Sequence, residues 1–179
     1  VNASKFRGEI EPSLAPSIGV INGGVAGTRA TTWAGNNNPN QLALIGYCTS
    51  VVGELGINDL NSGRTGAQAI ADHQTIAGLV GKPYFLTTAP PITTGAWTLA
   101  DRSDQTTSFA AQIAAYNTAV RALPAGIAGY FEVANQVSTG DKWLADGTVG
   151  KYTADGIHET SFANEAIQLS GAISAASLR

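Results

Sequence analysis

The sequence predicts an α/β fold with a mostly parallel β-sheet. Two observations predict it: short, continuous apolar runs recur along the chain, and segments with helical spacing lie between and after them. Continuous apolar runs are typical of strands buried on both faces of a parallel sheet. Alternation of strands and helices favours a sandwich in which helices cover the sheet. The 179 residues are the size of one domain, so we treat residues 1–179 as a single unit.

Four apolar runs are the predicted strands, and the first three end at a glycine turn, a Gly-Ile-Asn-Asp turn and an Ala-Pro-Pro break. They are Ile18–Asn22, Ser50–Leu55, Lys82–Thr88 and Ile127–Val133. The segment Thr93–Gln105 is predicted to be a long loop after the third run. Ligand sites of parallel sheets lie beyond the carboxyl ends of the strands, so we expect a site in the loops that follow these runs.

The spacing of apolar residues predicts the covering helices. A helix over Thr107–Leu123 is predicted to end before Pro124, and its apolar face consists of Phe109, Ile113, Tyr116, Val120 and Leu123. The C-terminal segment repeats this pattern with Phe162, Ala166, Leu169, Ile173 and Ala176. A short helix is predicted over Gln41–Cys48, and a longer one over Gly66–Val80 with Gly81 at its C-cap.

Composition excludes several classes of protein. Charged residues make up only 13%, the net charge is −3 and there is no Lys/Arg cluster, which argues against a nucleic-acid binder. One cysteine, Cys48, and two histidines are too few for a disulfide framework or a Cys/His zinc site, and no metal is expected. No apolar run approaches the roughly 20 residues of a membrane span, and no signal-peptide pattern opens the chain. The low charge and the Asn/Thr/Gly-rich loops favour an extracellular or virion-associated location over the cytoplasm.

Three polar blocks lie on the loops where a site is expected. Asn22–Gly27 is a glycine-rich turn whose backbone N–H groups can face a ligand, although it lacks the spacing of a dinucleotide fingerprint. In Gly56–Asp59, the Asn58 amide can point into a cleft and Asp59 can accept backbone N–H bonds. Each of these two blocks is typical of an ordinary turn as well as of a site.

The third block, Asp155–His158, carries the clearest chemistry. A carboxylate three residues before a histidine can accept a hydrogen bond from Nδ1–H and orient the ring, which leaves Nε2 as a general base. The other histidine, His73, lies mid-helix among Ala, Asp and Gln residues. We predict that His73 is a surface residue.

In this order, the three blocks resemble those of the SGNH (GDSL-type) hydrolase family, and the resemblance covers nearly the whole chain. It implies a flavodoxin-like three-layer α/β/α sandwich. It also implies that His158 is the general base and that Asp155 orients it. The backbone N–H of Gly27 and the side-chain amide of Asn58 would form an oxyanion hole with the N–H of the nucleophile.

The Gly-Asp-Ser block that holds the family's nucleophile has no direct counterpart. Ser4 is the nearest match, because it keeps the family's Ser-x-x-x-Gly spacing to Gly8. Only three residues precede Ser4, too few for the strand expected between Ile18–Asn22 and Ser50–Leu55. We therefore expect that strand to belong to sequence before Val1 or to come from another polypeptide. The nucleophile is then Ser4 or a serine upstream of Val1, and the absence of Met from the chain agrees with either source of the strand.

The resemblance implies a serine-dependent hydrolase of small acyl esters that needs no cofactor, with O-acetylated carbohydrates as a candidate substrate. Trp33, Trp97 and Trp143 would either stack on such a substrate or simply pack. Two alternatives stay open. One is a non-catalytic binding or structural domain on the same scaffold. The other is a cofactor or phosphate binder that uses the Asn22–Gly27 turn.

Overall fold

The computed structural model describes residues 21, 23–36, 39–174 and 178. Within them, the chain is a mixed α/β protein built around a parallel sheet. The elements, in chain order, are α1 Ala30–Ala34, α2 Pro39–Leu44, a 3₁₀ turn Ile45–Tyr47, β1 Val51–Gly53, α3 Ile57–Asn61, α4 Gly66–Val80, β2 Tyr84–Thr87, β3 Ile92–Gly95, β4 Gln105–Ser108, α5 Ala110–Arg121, β5 Gly129–Phe131, α6 Ala134–Val137, β6 Ser138–Thr139, β7 Lys142–Trp143 and α7 Ser161–Ser170.

The main sheet has the order β1-β2-β5 among the described residues, and both of its pairings are parallel. Val51 pairs with Tyr84, and Phe85 pairs with Gly129. The prediction of a parallel sheet is therefore confirmed for these three strands, each shorter than the apolar run that predicted it. The predicted strand Ile18–Asn22 lies, except for Ile21, outside the described residues.

Hydrophobic cores lie on both faces of β2, because successive side chains of a strand point to opposite faces. Tyr84 and Leu86 belong to one cluster, together with Ile76 of α4 and Val120 of α5. Phe85 belongs to the other cluster, whose further buried members are Phe131, Val133, Val137, Trp143, Ala163, Ile167 and Ile173. Helices thus cover the sheet from both sides.

The helix α4 coincides with its prediction. Thr65 and Gln68 form a capping box at its start, and Gly81 ends it in the left-handed conformation. The helix α5 is shorter than predicted, because residues 107 and 108 belong to β4. Its central apolar residues are buried as expected, but Phe109 and Leu123 are 40% and 48% exposed, so the prediction placed both ends wrongly.

The C-terminal helix was predicted with the wrong face. Ala163 and Ile167 are its fully buried residues, whereas Phe162 and Leu169 are exposed. Gly171 ends the helix, so Ile173 reaches the core only after the chain has turned. Within the described part of the chain, no helix combines the length and apolar character needed to cross a membrane.

The prediction of a long loop over Thr93–Gln105 is confirmed for residues 96–104 and is wrong at both ends, which belong to strands β3 and β4. Strands β3 and β4 form an antiparallel hairpin in which Thr94 pairs with Thr106. Asp104 closes the connection by accepting hydrogen bonds from the backbone N–H groups of Thr98 and Leu99 at 2.6 and 3.2 Å. Threonine is β-branched and favours strands. Pairing of β3 with β4 satisfies the backbone groups of both strands, although neither is a long apolar run.

Candidate active site

A cleft of about 200 Å³ opens where the parallel strands end. Its lining comes from the segments that directly follow β1 and β2, from Val133 beyond β5, and from the loop that precedes α7. The lining residues are Glu54, Leu55, Ile57, Asn58, Thr87, Thr88, Ala89, Pro90, Val133, Ile157, His158 and Glu159. Asn58 and His158, far apart in the sequence, therefore line one cleft.

Asp155 and His158 are joined by a hydrogen bond. The Asp155 Oδ2 atom lies 2.7 Å from Nδ1 of His158. The other carboxylate oxygen, Oδ1, accepts the backbone N–H groups of Ile157 and His158 at 2.9 and 2.8 Å. One carboxylate thus holds both the backbone of the turn and the imidazole ring, as the three-residue spacing predicts.

The hydrogen bonds also lower the pKa of Asp155 and determine the ring tautomer of His158. Partial burial raises the pKa of Asp155, but the hydrogen bonds from His158 and Ile157 outweigh it and hold the pKa below its usual value. Since the ionised carboxylate only accepts, Nδ1 of His158 carries the proton and donates it. In the neutral ring, Nε2 then keeps its lone pair. This side chain is 69% exposed and accessible to a substrate.

The hairpin and Trp143 hold the Asp155–His158 turn from behind. The Gly156 carbonyl accepts hydrogen bonds from Thr93 N–H at 2.9 Å and from Trp143 Nε1–H at 3.0 Å. Trp143 is completely buried, so its role is packing and positioning, and it cannot stack on a substrate. Trp97 donates through Nε1 to Thr93 Oγ1 at 2.8 Å and, like Trp33, is not part of the cleft lining.

The Gly56–Asp59 turn is tied to the segment that follows Gly27. Asn58 Nδ2 donates to the Thr28 carbonyl at 3.1 Å. Asp59 is fully buried and accepts the backbone N–H of Ala30 at 2.7 Å and that of Thr31 at 3.2 Å. Asp59 therefore accepts backbone N–H groups as expected, but those of the α1 terminus rather than of its own turn.

The predicted site residues are only partly brought together. Asn58 and His158 face the cleft and Asp155 supports His158 from outside it. Gly27 is exposed with φ +74°, and it is not among the residues that line the cleft. Ser4 and Asn22 lie outside the described residues.

Sequence reasoning missed Thr88, a fully buried cleft residue directly after β2. Its hydroxyl donates to Glu132 at 2.8 Å and accepts the Ala134 N–H at 2.9 Å. Arg121 donates from Nε and from one terminal nitrogen to Glu132 at 2.7 and 2.9 Å. Burial raises the pKa of Glu132, but the bonds from Arg121 and Thr88 outweigh it, so that pKa lies below its usual value. The only sequence signal was that Thr88 is the last residue of the predicted strand Lys82–Thr88, directly before the Ala-Pro-Pro break.

The prediction that His73 is a surface residue is wrong. Its side chain is completely buried, with Nδ1 3.0 Å from the Tyr84 hydroxyl and Nε2 3.1 Å from the Leu55 carbonyl oxygen. The Tyr116 hydroxyl lies 3.2 Å from the same Nε2. The polar neighbours in sequence suggested a solvated face, whereas partners from three other segments satisfy the ring. Sequence spacing along one helix cannot show such partners.

Acid is expected to reduce the stability of the protein through His73. Burial lowers its pKa from 6.5 to about 4, although the Leu55 hydrogen bond and the charges of Asp59 and Asp72 oppose this shift. The unfolded chain therefore binds the proton first, so the stabilisation is complete above the unfolded pKa and is lost as pH falls towards the folded one. The contribution of His73 to the free energy of unfolding should therefore fall by ~2 kcal/mol between about pH 7.5 and about pH 5. Urea unfolding at the two pH values measures this change.

The matched variant is His73→Gln, which lacks the titrating ring. Over the same pH interval, its free energy of unfolding should fall by ~2 kcal/mol less than that of the unmodified protein. The hydroxyls that contact the ring, those of Tyr84 and Tyr116, have pKa values raised by burial and stay neutral throughout. Identical pH slopes for the two proteins would contradict the neutral, buried state of His73.

The residues described in the structure contain no group of three or more His, Cys, Asp or Glu side chains placed to hold a metal ion. In comparisons with known proteins, no family model and no curated protein matches the chain. The cleft residues offer an oriented imidazole, a side-chain amide and a partly apolar wall.

Proposed function

We propose that the chain is a serine-dependent hydrolase of small acyl esters of the SGNH type. The observation that carries the proposal is the 2.7 Å hydrogen bond between Asp155 and His158. His158 lines the same cleft as Asn58. An imidazole that lines a cleft, with Nδ1 held by a carboxylate and the lone pair left on Nε2, is the arrangement that general-base catalysis requires. The nucleophile in this proposal is Ser4 or a serine that precedes Val1.

In the proposed reaction, the serine Oγ attacks the ester carbonyl carbon while its proton passes to Nε2 of His158. Asp155 stabilises the imidazolium that forms. The tetrahedral intermediate collapses, His158 returns the proton to the leaving alcohol, and an acyl-serine remains. Water then attacks the acyl carbonyl, with His158 again as base, and releases the carboxylic acid and the free serine.

The negative charge of each tetrahedral intermediate needs hydrogen-bond donors. In the proposal these are the N–H of Gly27, the amide of Asn58 and the N–H of the nucleophile. Asn58 has two amide protons, and one of them is directed to the Thr28 carbonyl. That bond orients the amide and leaves its second N–H for the oxyanion.

The size and lining of the cleft support a small acyl group. Its volume of about 200 Å³ is modest, and Ala89, Pro90, Val133 and Ile157 provide an apolar wall. An acetyl group fits such a wall, which agrees with O-acetylated carbohydrate as the substrate class. The helices that cover both faces of the parallel sheet support a flavodoxin-like three-layer arrangement.

A fluorophosphonate probe tests the proposal directly. We expect the full chain to hydrolyse p-nitrophenyl acetate and to form one covalent adduct, which peptide mapping assigns to a serine. An adduct on Ser4 identifies Ser4 as the nucleophile. An adduct on a serine that precedes Val1 in the encoded polypeptide identifies that serine instead. No adduct on any serine together with no ester hydrolysis would contradict the enzyme and favour the binding or structural domain.

Replacing Asn58 tests the oxyanion hole. Removal of one such donor costs about 10²–10³ in kcat, so Asn58→Ala should lower kcat by that factor and change KM little. Asn61→Ala is the matched control, since Asn61 is exposed at the end of the same short helix. Steady-state kinetics with p-nitrophenyl acetate measure both variants. Equal kcat values for the two would remove Asn58 from the mechanism.

A further inference from the structure

The buried His73 lies directly behind the turn that presents Asn58 to the cleft. The Leu55 carbonyl, which His73 contacts, belongs to the residue before Gly56, and Gly56 is the N-cap of α3. Leu55 itself lines the cleft. The imidazole is thus one hydrogen bond away from the backbone of the candidate site, although its own side chain does not touch the cleft.

The hydrogen bonds determine which ring nitrogen carries the proton. A carbonyl oxygen only accepts, so Nε2 of His73 is protonated and donates to Leu55 at 3.1 Å. Nδ1 is then the acceptor, and the Tyr84 hydroxyl donates to it at 3.0 Å. Both ring nitrogens are satisfied in the neutral form, as a completely buried imidazole requires.

The Tyr116 hydroxyl lies between the ends of two neighbouring strands, and its single proton can be donated to either of two carbonyl oxygens. This hydroxyl lies 3.4 Å from the Leu55 carbonyl oxygen, beyond β1, and 3.5 Å from that of Thr87, the last residue of β2. The hydroxyl is also 3.2 Å from Nε2 of His73. Leu55 and Thr87 both line the cleft, so the Tyr116 hydroxyl lies between the backbones of two of its segments.

Gly56 shows how closely the turn lies against these rings. Its φ is +111°, and a Cβ atom at this position would lie 3.4 Å from the Tyr116 ring and 3.5 Å from Nε2 of His73. The α3 helix starts directly on this turn, with the Leu60 N–H bonded to the Gly56 carbonyl at 2.9 Å. The Leu55 carbonyl thus lies one residue before the N-cap of α3, whose first turn carries Asn58.

We propose that His73 and Tyr116 are positioning residues for Asn58, because their hydrogen bonds to the Leu55 carbonyl hold the turn from which the Asn58 amide faces the cleft. This inference rests on the proposed role of Asn58 as an oxyanion donor. A misplacement of about 1 Å can cost about 10²-fold in rate, so loss of one of these bonds should lower kcat by about 10-fold or more. KM should change little, because the oxyanion forms only in the transition state.

Tyr116→Phe is the test variant and Tyr84→Phe is its matched control. Each removes one buried hydroxyl bonded to His73, but only the Tyr116 hydroxyl reaches the Leu55 carbonyl. Both variants should lose similar amounts of thermal stability. Only Tyr116→Phe should lower kcat on p-nitrophenyl acetate, and only Tyr116→Phe should shift the side-chain amide signals of Asn58 in a ¹⁵N NMR spectrum.

A double-mutant cycle identifies the route of the effect. If Tyr116 acts through Asn58, Tyr116→Phe should reduce kcat about 10-fold in the unmodified chain and by less than about 2-fold in Asn58→Ala. The same 10-fold loss in both backgrounds would overturn the inference, and so would equal effects of the two Phe variants.

The NMR readout separates this inference from the proposed function. A full chain without esterase activity or serine labelling would contradict the proposed function. The Asn58 amide signals would still decide the positioning role: a shift confined to Tyr116→Phe supports it. Unchanged signals in Tyr116→Phe overturn it, whatever the activity.

Discussion

His158→Ala is expected to lower kcat/KM for p-nitrophenyl acetate by about 10³-fold or more. The substitution removes the only base that the proposed mechanism offers to the serine proton, and a positioned general base contributes up to about 10⁴-fold. The side chain is 69% exposed, so its loss should cost little stability. Fluorophosphonate labelling should fall in parallel, because the probe reacts with the same activated serine.

Asp155→Asn and Asp141→Asn provide the matched comparison for this prediction. Asp155→Asn keeps the shape of the side chain but removes the charge that stabilises the imidazolium, so it should lower kcat strongly, by about 10⁴-fold in the limiting case. Asp141 is exposed on the turn between β6 and β7 and takes no part in the proposed mechanism. Asp141→Asn should therefore leave kcat unchanged. Unchanged ester hydrolysis in His158→Ala would show that the assignment of the base is wrong.

Gly156→Ala is expected to destabilise the protein by about 3 kcal/mol and to abolish activity as well. Gly156 has φ +81°, and an added Cβ would overlap the carbonyl oxygen of Thr93 and lie 2.8 Å from the Trp97 ring. The hairpin backbone cannot yield without losing the hydrogen bond between Thr93 N–H and the Gly156 carbonyl. Since Asp155 is the preceding residue, the carboxylate would move away from His158.

Gly140→Ala is the matched control for this backbone prediction. Gly140 also has a left-handed φ, +65°, but a Cβ there meets no atom within 4 Å. Gly140→Ala should lower the free energy of unfolding only by the conformational strain, about 1 kcal/mol, and should leave kcat unchanged. Urea unfolding and esterase kinetics measure both variants. Equal destabilisation by the two would mean that the contact between the hairpin and the Asp155–His158 turn is not maintained in solution.

Local signals in the sequence were sufficient for several elements. The helix Gly66–Val80 coincides with its prediction, and Gly81 ends it as the predicted C-cap. The hydrogen bond between Asp155 and His158 follows in the same way from a separation of three residues. The parallel sheet followed from apolar runs that are buried on both faces.

Long-range contacts explain what the sequence failed to predict. The threonine-rich β3–β4 hairpin has few apolar residues, and it depends on pairing between strands that a 9-residue loop separates. The buried face of the C-terminal helix was assigned to Phe162 and Leu169, although Ala163 and Ile167 are the residues that pack. Both apolar stripes fit a helical period, and only the position of the sheet distinguishes them.

The sequence by itself determined the α/β class, the Gly81 helix cap and the local Asp155–His158 pair, because each depends on residues within a few positions of one another. Only the tertiary structure decided that Asn58 shares a cleft with His158 and that His73 is buried behind that cleft. The physical reason is that a polar side chain is buried only where partners satisfy it, and the partners of His73 lie 11 to 43 residues away in the chain.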